Sequence, residues 1–126
     1  MSDLMARRRR GQTAYHSGAA AELSVSRKYQ DLGYHIAHNR WRGKAGEIDL
    51  IFRKGDTVIF VEVKKSRDFD RAACRVGAPQ IRRIVNSACE FLAGEASGQL
   101  TDSRFDVALV DQAGGIQIIE NAFGTE

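Results

Sequence analysis

Two carboxylates and a lysine stand where the sequence is otherwise apolar: Asp49 between Ile48 and Leu50, and Glu62 and Lys64 within Val61-Glu62-Val63-Lys64. Glu62 and Lys64 are two residues apart, so in an extended segment they share one face. Unpaired carboxylates in an apolar sheet cost on the order of several kcal/mol per ion, so something positive must compensate. A divalent cation does this well. Hard oxygen ligands suit Mg²⁺ or Mn²⁺, and such ions activate water for attack on phosphate. Asp49 and Glu62 are the expected acidic ligands, and Val63 can lend a main-chain carbonyl. Lys64 would stabilise charge developing on the phosphate and assist deprotonation of the attacking water. Two further polar residues can complete the set: Glu22, at the edge of an apolar helical stripe, and Gln80, placed likewise on a second helix to orient a water or phosphate oxygen. Plainer roles stand beside these. Glu62 and Lys64 can be a solvated strand end, Asp49 can pair with Arg53 or Lys64, and Glu22 can pair with a basic residue one helical turn away.

The elements that must position these groups follow from periodicity. Ala14, Gly18, Ala21, Val25, Tyr29 and Leu32 fall on one face of a helix over Gln12 to Leu32, stopped by Gly33. Three strand-like runs follow, Tyr34 to Arg42, Glu47 to Arg53 and Thr57 to Lys64, separated by Gly43-Lys44-Ala45-Gly46 and Lys54-Gly55-Asp56. They predict an antiparallel meander. The third run is apolar on both faces up to Glu62, as in a central strand. Arg67 to Ala78 reads as loop. Pro79 then opens a helix with Ile81, Ile84, Val85, Ala88 and Leu92 on one stripe, ended by Gly94. A strand from Arg104 to Val110, an Ala113-Gly114-Gly115 turn and a short strand from Ile116 to Ile119 close the chain. The pattern predicts a mixed α/β layer with helices packed on the sheet.

The chain has 126 residues, enough for one core, and its 43% hydrophobic and 28% charged residues exclude wholesale disorder and a membrane protein. One domain over residues 12–126 is expected, after a disordered basic tail over residues 1–11. Net charge is +3, and Arg7 to Arg10 carry four of the positive charges in that tail, a run that favours phosphate contact or is simply solvated. No apolar segment follows these arginines, which excludes a secretory signal at this position. Cys74 and Cys89 lack metal spacing and fit a reducing compartment, so the expected location is the cytoplasm. His16, His35 and His38 show no ligand spacing. Trp41, between Arg40 and Arg42, suits either a core position or stacking on a base, with the core favoured. Arg82 and Arg83 read as the wet face of the second helix, or as a phosphate track. Arg104 and Asp106 share a strand face and can brace the sheet end near the site.

Several motifs in order carry a resemblance to a known family. Gly18-x-x-Ala21-Glu22, Asn39-Arg40-Trp41-Arg42, Gly46-Glu47-Ile48-Asp49-Leu50-Ile51, Val61-Glu62-Val63-Lys64, Arg104-Phe105-Asp106-Val107 and Asn121-Ala122-Phe123 together resemble the YraN family of bacterial proteins. The resemblance covers nearly all of the chain from Gly18 onward. It implies a restriction-endonuclease-like, or PD-(D/E)xK, fold with an αβββαβ core and a central mixed sheet flanked by helices, a superfamily that includes Holliday-junction resolvases and other nucleases. It also implies acidic metal-ligand positions at Asp49 and Glu62, the lysine position at Lys64, the first-helix acidic position at Glu22 and a Gln or Lys position at Gln80. Ile48 stands where the superfamily motif carries proline, and Arg75 to Ile81 matches the usual basic pattern loosely.

The expectation is a metal-dependent nuclease acting on DNA, branched DNA included, with a homodimer suiting junction cleavage. The alternatives are a non-catalytic nucleic-acid-binding or adaptor module on the same fold, and an acidic cluster that is purely structural.

Overall fold

A computed structural model describes residues 18–73 and 76–123. The basic tail, His16, Cys74, Arg75 and the first-helix residues before 18 lie outside the described residues.

Helix α1 (18–31) is followed by strands β1 (His35–Arg42), β2 (Glu47–Lys54) and β3 (Thr57–Lys65). Helices α2 (Phe69–Ala73) and α3 (Ala78–Leu92) come next, then β4 (Ser103–Val110) and β5 (Ile116–Ile119). The strands form one sheet in the order β1-β2-β3-β4-β5. β1, β2 and β3 pair antiparallel, β3 and β4 pair parallel, and β5 returns antiparallel to β4. The expected meander and the central place of β3 both hold. This is a mixed α/β fold with the restriction-endonuclease-like αβββαβ order, extended by α2 and β5. No helix among the described residues is long and apolar enough to cross a membrane.

The period of two along β3 explains the two layers of core. Ile59 and Val61 join Ala21, Val25 and Tyr29 of α1 on one face, and Val58 and Phe60 join Ile84, Ala88 and Phe91 of α3 on the other. Helix α1 ends in a Schellman motif: Gly33, at φ +94°, donates to the Gln30 carbonyl, and Tyr34 N–H donates to the Tyr29 carbonyl. The Tyr29 and Tyr34 rings then meet edge to face at 5.2 Å, the apolar contact that usually accompanies this cap. Leu32, expected on the apolar stripe, lies beyond the helix in this turn and is exposed.

The stretch expected to be loop contains α2. Asp68 caps it by accepting from Arg71 N–H at 2.9 Å, and Ala72 is buried against Val107 and Leu109 of β4. Five residues are too few to display helical periodicity in sequence.

Helix α1 is also pinned by a polar clamp. Asp106 is fully buried and accepts four hydrogen bonds: from Tyr29 Oη at 2.8 Å, Arg104 Nε at 2.8 Å, Arg104 Nη2 at 2.9 Å and Asn121 N–H at 3.0 Å. Burial and the neighbouring Asp106 hold the Tyr29 hydroxyl above its ordinary range, so it stays a donor. Arg104 and Asp106 do share a face, as expected, but it is the face under α1, opposite the one on which Glu62 meets α3. Their work is to fasten the helix rather than to brace the site directly. Tyr29→Phe is expected to lower unfolding free energy by about 1–2 kcal/mol. Asp106→Ala, which strips Tyr29 Oη and Asn121 N–H of their acceptor and leaves Arg104 with the Glu120 carboxylate at 3.9 Å, is expected to cost about 3 kcal/mol. Urea denaturation of the purified variants measures both.

Candidate functional site

The ladder between β2 and β3 runs from Lys54 opposite Thr57 to Leu50 opposite Val61 and stops there. The next residue of β2 is Asp49. Its Oδ2 accepts a hydrogen bond from Val63 N–H at 2.8 Å, so a side chain replaces a main-chain carbonyl as the partner of β3. Side-chain alternation breaks at the same point: Ile48 and Ile51, three residues apart, both enter the α3-side core. Across the sheet, Arg40 stands opposite Asp49, between the pairs Asn39–Leu50 and Trp41–Ile48, with φ +54°. That conformation costs roughly 1 kcal/mol for a residue with a Cβ.

The gap opened between the strands is the floor of a cavity of about 930 Å³, lined by Glu22, Asp49, Glu62, Val63 and Lys64 together with Arg42, Glu47, Lys65 and Arg83. Glu62 is buried, and its Oε1 accepts from Gln80 Nε2 at 2.8 Å and meets Lys64 Nζ at 3.1 Å. Asp49, Glu62, Val63, Lys64 and Glu22, the site residues expected from the sequence, line this cavity, and Gln80 joins them through its bond to Glu62. Glu22 reaches the cavity from α1, but its partner is Arg40 Nε at 2.9 Å, 18 residues away, not a basic residue one turn along the helix. Asp49 pairs with neither of the cations suggested for it: Arg53 pairs with Glu95, and Lys64 with Glu62.

Burial, then the charge of Glu62, pushes the Asp49 carboxyl up to about 7, against an ordinary 3.8. Burial first, with a contribution from Asp49, also raises the Glu22 carboxyl, and the hydrogen bond from Arg40 opposes this.

The donor set fits a hard divalent cation. Asp49 Oδ1 and Glu62 Oε2 accept no hydrogen bond among the described residues, leaving one oxygen of each carboxylate available. Val63 N–H points into the gap, and the carbonyl of a strand residue points the same way as its N–H. No three His, Cys, Asp or Glu side chains converge as a ligand set among the described residues, so the pair would be completed by the Val63 carbonyl and water rather than by Glu22.

Glu90 had no role in the sequence reading, which took Arg83 as wet helix face or phosphate track and Gly43 to Gly46 as a turn. Glu90 accepts from Lys44 N–H at 2.8 Å and from Ala45 N–H at 3.4 Å, tying the turn to α3. Trp41 packs edge to face on Phe91 at 5.4 Å, the core role favoured for it. Arg83 lines the cavity. Glu90 and Arg83 are seven residues apart and so share a helix face, the one signal the sequence offered.

A restriction-endonuclease-like domain with a carboxylate pair and lysine at a break in its sheet is the class defined by this fold and site. Residues 21–110 match the uncharacterised protein family UPF0102. A UPF0102 protein of Ruegeria pomeroyi is 59% identical over 115 residues, covering 91% of this chain and 94% of that protein. One of Roseobacter denitrificans is 55% identical over 122 residues, covering 97% and 95%. The chain belongs to the UPF0102 family, the YraN family that its motifs resemble.

The raised Asp49 carboxyl has a stability consequence. Between its ordinary value and about 7, the folded protein holds a proton that the unfolded chain releases, so stability contributed by this group falls as pH rises through that window. Without divalent metal, the melting temperature is expected to fall from about pH 5.5 to about pH 8. Asp49→Asn keeps an oxygen for Val63 N–H and removes the charge, so it is expected to melt a few °C higher than wild type at about pH 8 and to flatten the decline. Thermal melts across pH in EDTA test this. Equal melting temperatures at about pH 8 would contradict it.

Proposed function

We propose that this protein is a divalent-metal-dependent nuclease that hydrolyses phosphodiester bonds in DNA. The observation that carries the reading is the convergence of Asp49 and Glu62 at the break in the sheet, with Lys64 Nζ 3.1 Å from Glu62, in an open cavity whose walls also carry Arg42, Lys65 and Arg83. A sheet stabilised only for its own sake would fill such a gap with apolar side chains, since a buried ion pair seldom exceeds well-packed hydrophobic residues in stability.

Asp49 and Glu62 would hold Mg²⁺ or Mn²⁺ with the Val63 carbonyl. When bound, the ion supplies Lewis acidity toward a phosphate oxygen and toward water. Gln80 fixes the orientation of Glu62. Lys64, anchored on Glu62, places a positive charge where a phosphate entering the cavity gains negative charge. Glu22, held by Arg40, adds a third acidic group, on the α1 wall. A branched substrate with two scissile phosphates needs two such cavities, hence a homodimer.

A non-catalytic nucleic-acid-binding module is the second reading. The contact between Lys64 and Glu62 favours it, because it balances one carboxylate without any bound cation.

Labelled branched, duplex and single-stranded DNA, incubated with Mg²⁺ or Mn²⁺, separates the two. Cleavage by wild type is expected, with activity reduced by about 100-fold or more in Asp49→Ala and Lys64→Ala proteins of verified fold. DNA binding without cleavage on every substrate would leave the binding module.

A further inference from the structure

The cations around the cavity differ in how they are engaged. Arg42 pairs with Glu47 at 3.4 Å and Lys64 with Glu62 at 3.1 Å. Arg83 lines the same cavity, and its guanidinium makes no ion pair or hydrogen bond among the described residues, although Glu47, Asp49 and Glu62 line the cavity too.

Its side chain is nevertheless placed by the fold. The stem of Arg83 lies across Gly46, where a Cβ would come within 2.8 Å of both Cγ and Cδ and 3.4 Å of Nε. Gly46 also has φ +151°, a conformation that side chains disfavour. The turn carrying it is fixed on both sides. Gly43 N–H donates to the Gly46 carbonyl at 2.9 Å, and Glu90 holds the amides of Lys44 and Ala45. Gly43 is bare for a matching reason, since a Cβ there would lie 2.5 Å from Glu90 Oε2 and 2.7 Å from Trp41. Two glycines of the turn thus admit two side chains of α3. Glu90 does the fastening, which leaves the stem of Arg83 packed and its charge unspent.

We infer that Arg83, seated on Gly46, is a phosphate-binding subsite of the cavity that positions a phosphodiester of the DNA strand over the Asp49–Glu62 pair. This rests on the nuclease reading above. A guanidinium presents a planar fork of donors that matches two phosphate oxygens, and one already packed along its stem loses less rotamer freedom on binding. Arg83 is a positioning residue here, and Gly46 acts through it.

The test is DNA affinity at a series of KCl concentrations, with Ca²⁺ as the divalent ion, for wild type and variants with matched melting temperatures. Removing a single phosphate contact lowers the slope of log affinity against log salt by about one. Arg83 is exposed, so Arg83→Gln should fold as wild type. It is expected to bind about tenfold more weakly with a slope smaller by about one. Gly46→Ala should do the same, and the double variant should be no worse than either single one, because both remove the same contact. Lys54→Gln removes the same charge at the far end of β2, where Lys54 lies over the Tyr34 ring, and should leave the slope unchanged. Wild-type affinity and slope in Arg83→Gln would overturn the inference and leave the nuclease reading standing. Failure of the wild type to bind any DNA would overturn both.

Discussion

The hydrogen bond from Val63 N–H to the Asp49 carboxylate is the contact on which the rest of the site depends. A strand that continued its ladder would spend Val63 N–H on a main-chain carbonyl of β2 and leave no space beside Glu62. Substituting a side-chain oxygen satisfies the buried amide, so the cost of ending the ladder inside the sheet is met. It also brings a second carboxylate beside the first. The left-handed Arg40 stands opposite this point and the alternation breaks at Ile48 beside it, while burial and the charge of Glu62 raise the Asp49 carboxyl against the opposing pull of the Val63 hydrogen bond. Strain and unfavourable charge gathered at one point of a well-packed sheet mark a place shaped by something other than stability.

The walls of the cavity are held by separate devices, one for each helix. On the α1 side, Asp106 joins Tyr29, Arg104 and Asn121, and Arg104 also donates to Tyr34 Oη at 2.9 Å, so the end of α1 cannot move without exposing a buried carboxylate. This fixes the helix that carries Glu22. On the α3 side, Glu90 and the Trp41–Phe91 contact tie the β1–β2 turn to the helix that carries Gln80 and Arg83. The acidic centre is thereby built on strands and bordered by elements anchored outside it.

The parts of this arrangement that a sequence displays are those governed by short periods. Two-residue periodicity put Glu62 and Lys64 on one face, and apolar runs on both faces of β3 marked it as central, which in turn made its carboxylate conspicuous. Asp49 was legible for the same reason, an acid between Ile48 and Leu50. The break in alternation beside it was not, because it depends on tertiary pairing of three strands. Glu22 was recognisable at the edge of a helical stripe, but its partner Arg40 lies on a strand whose backbone takes an uncommon conformation for a residue with a side chain. Arg83 and Glu90 sat on the polar face of an amphipathic helix, where Arg83 reads equally as wet face or phosphate track and Glu90 as solvated until the turn that crosses them is known.

The Asp49–Glu62 pair is expected to hold a divalent cation, and Mn²⁺ binding measured by electron paramagnetic resonance tests this without requiring turnover or a substrate. Saturable binding of about one Mn²⁺ per chain is expected, abolished in Asp49→Asn and in Glu62→Gln and competed by Mg²⁺. Absence of binding by the wild type, or equal binding by both variants, would contradict it.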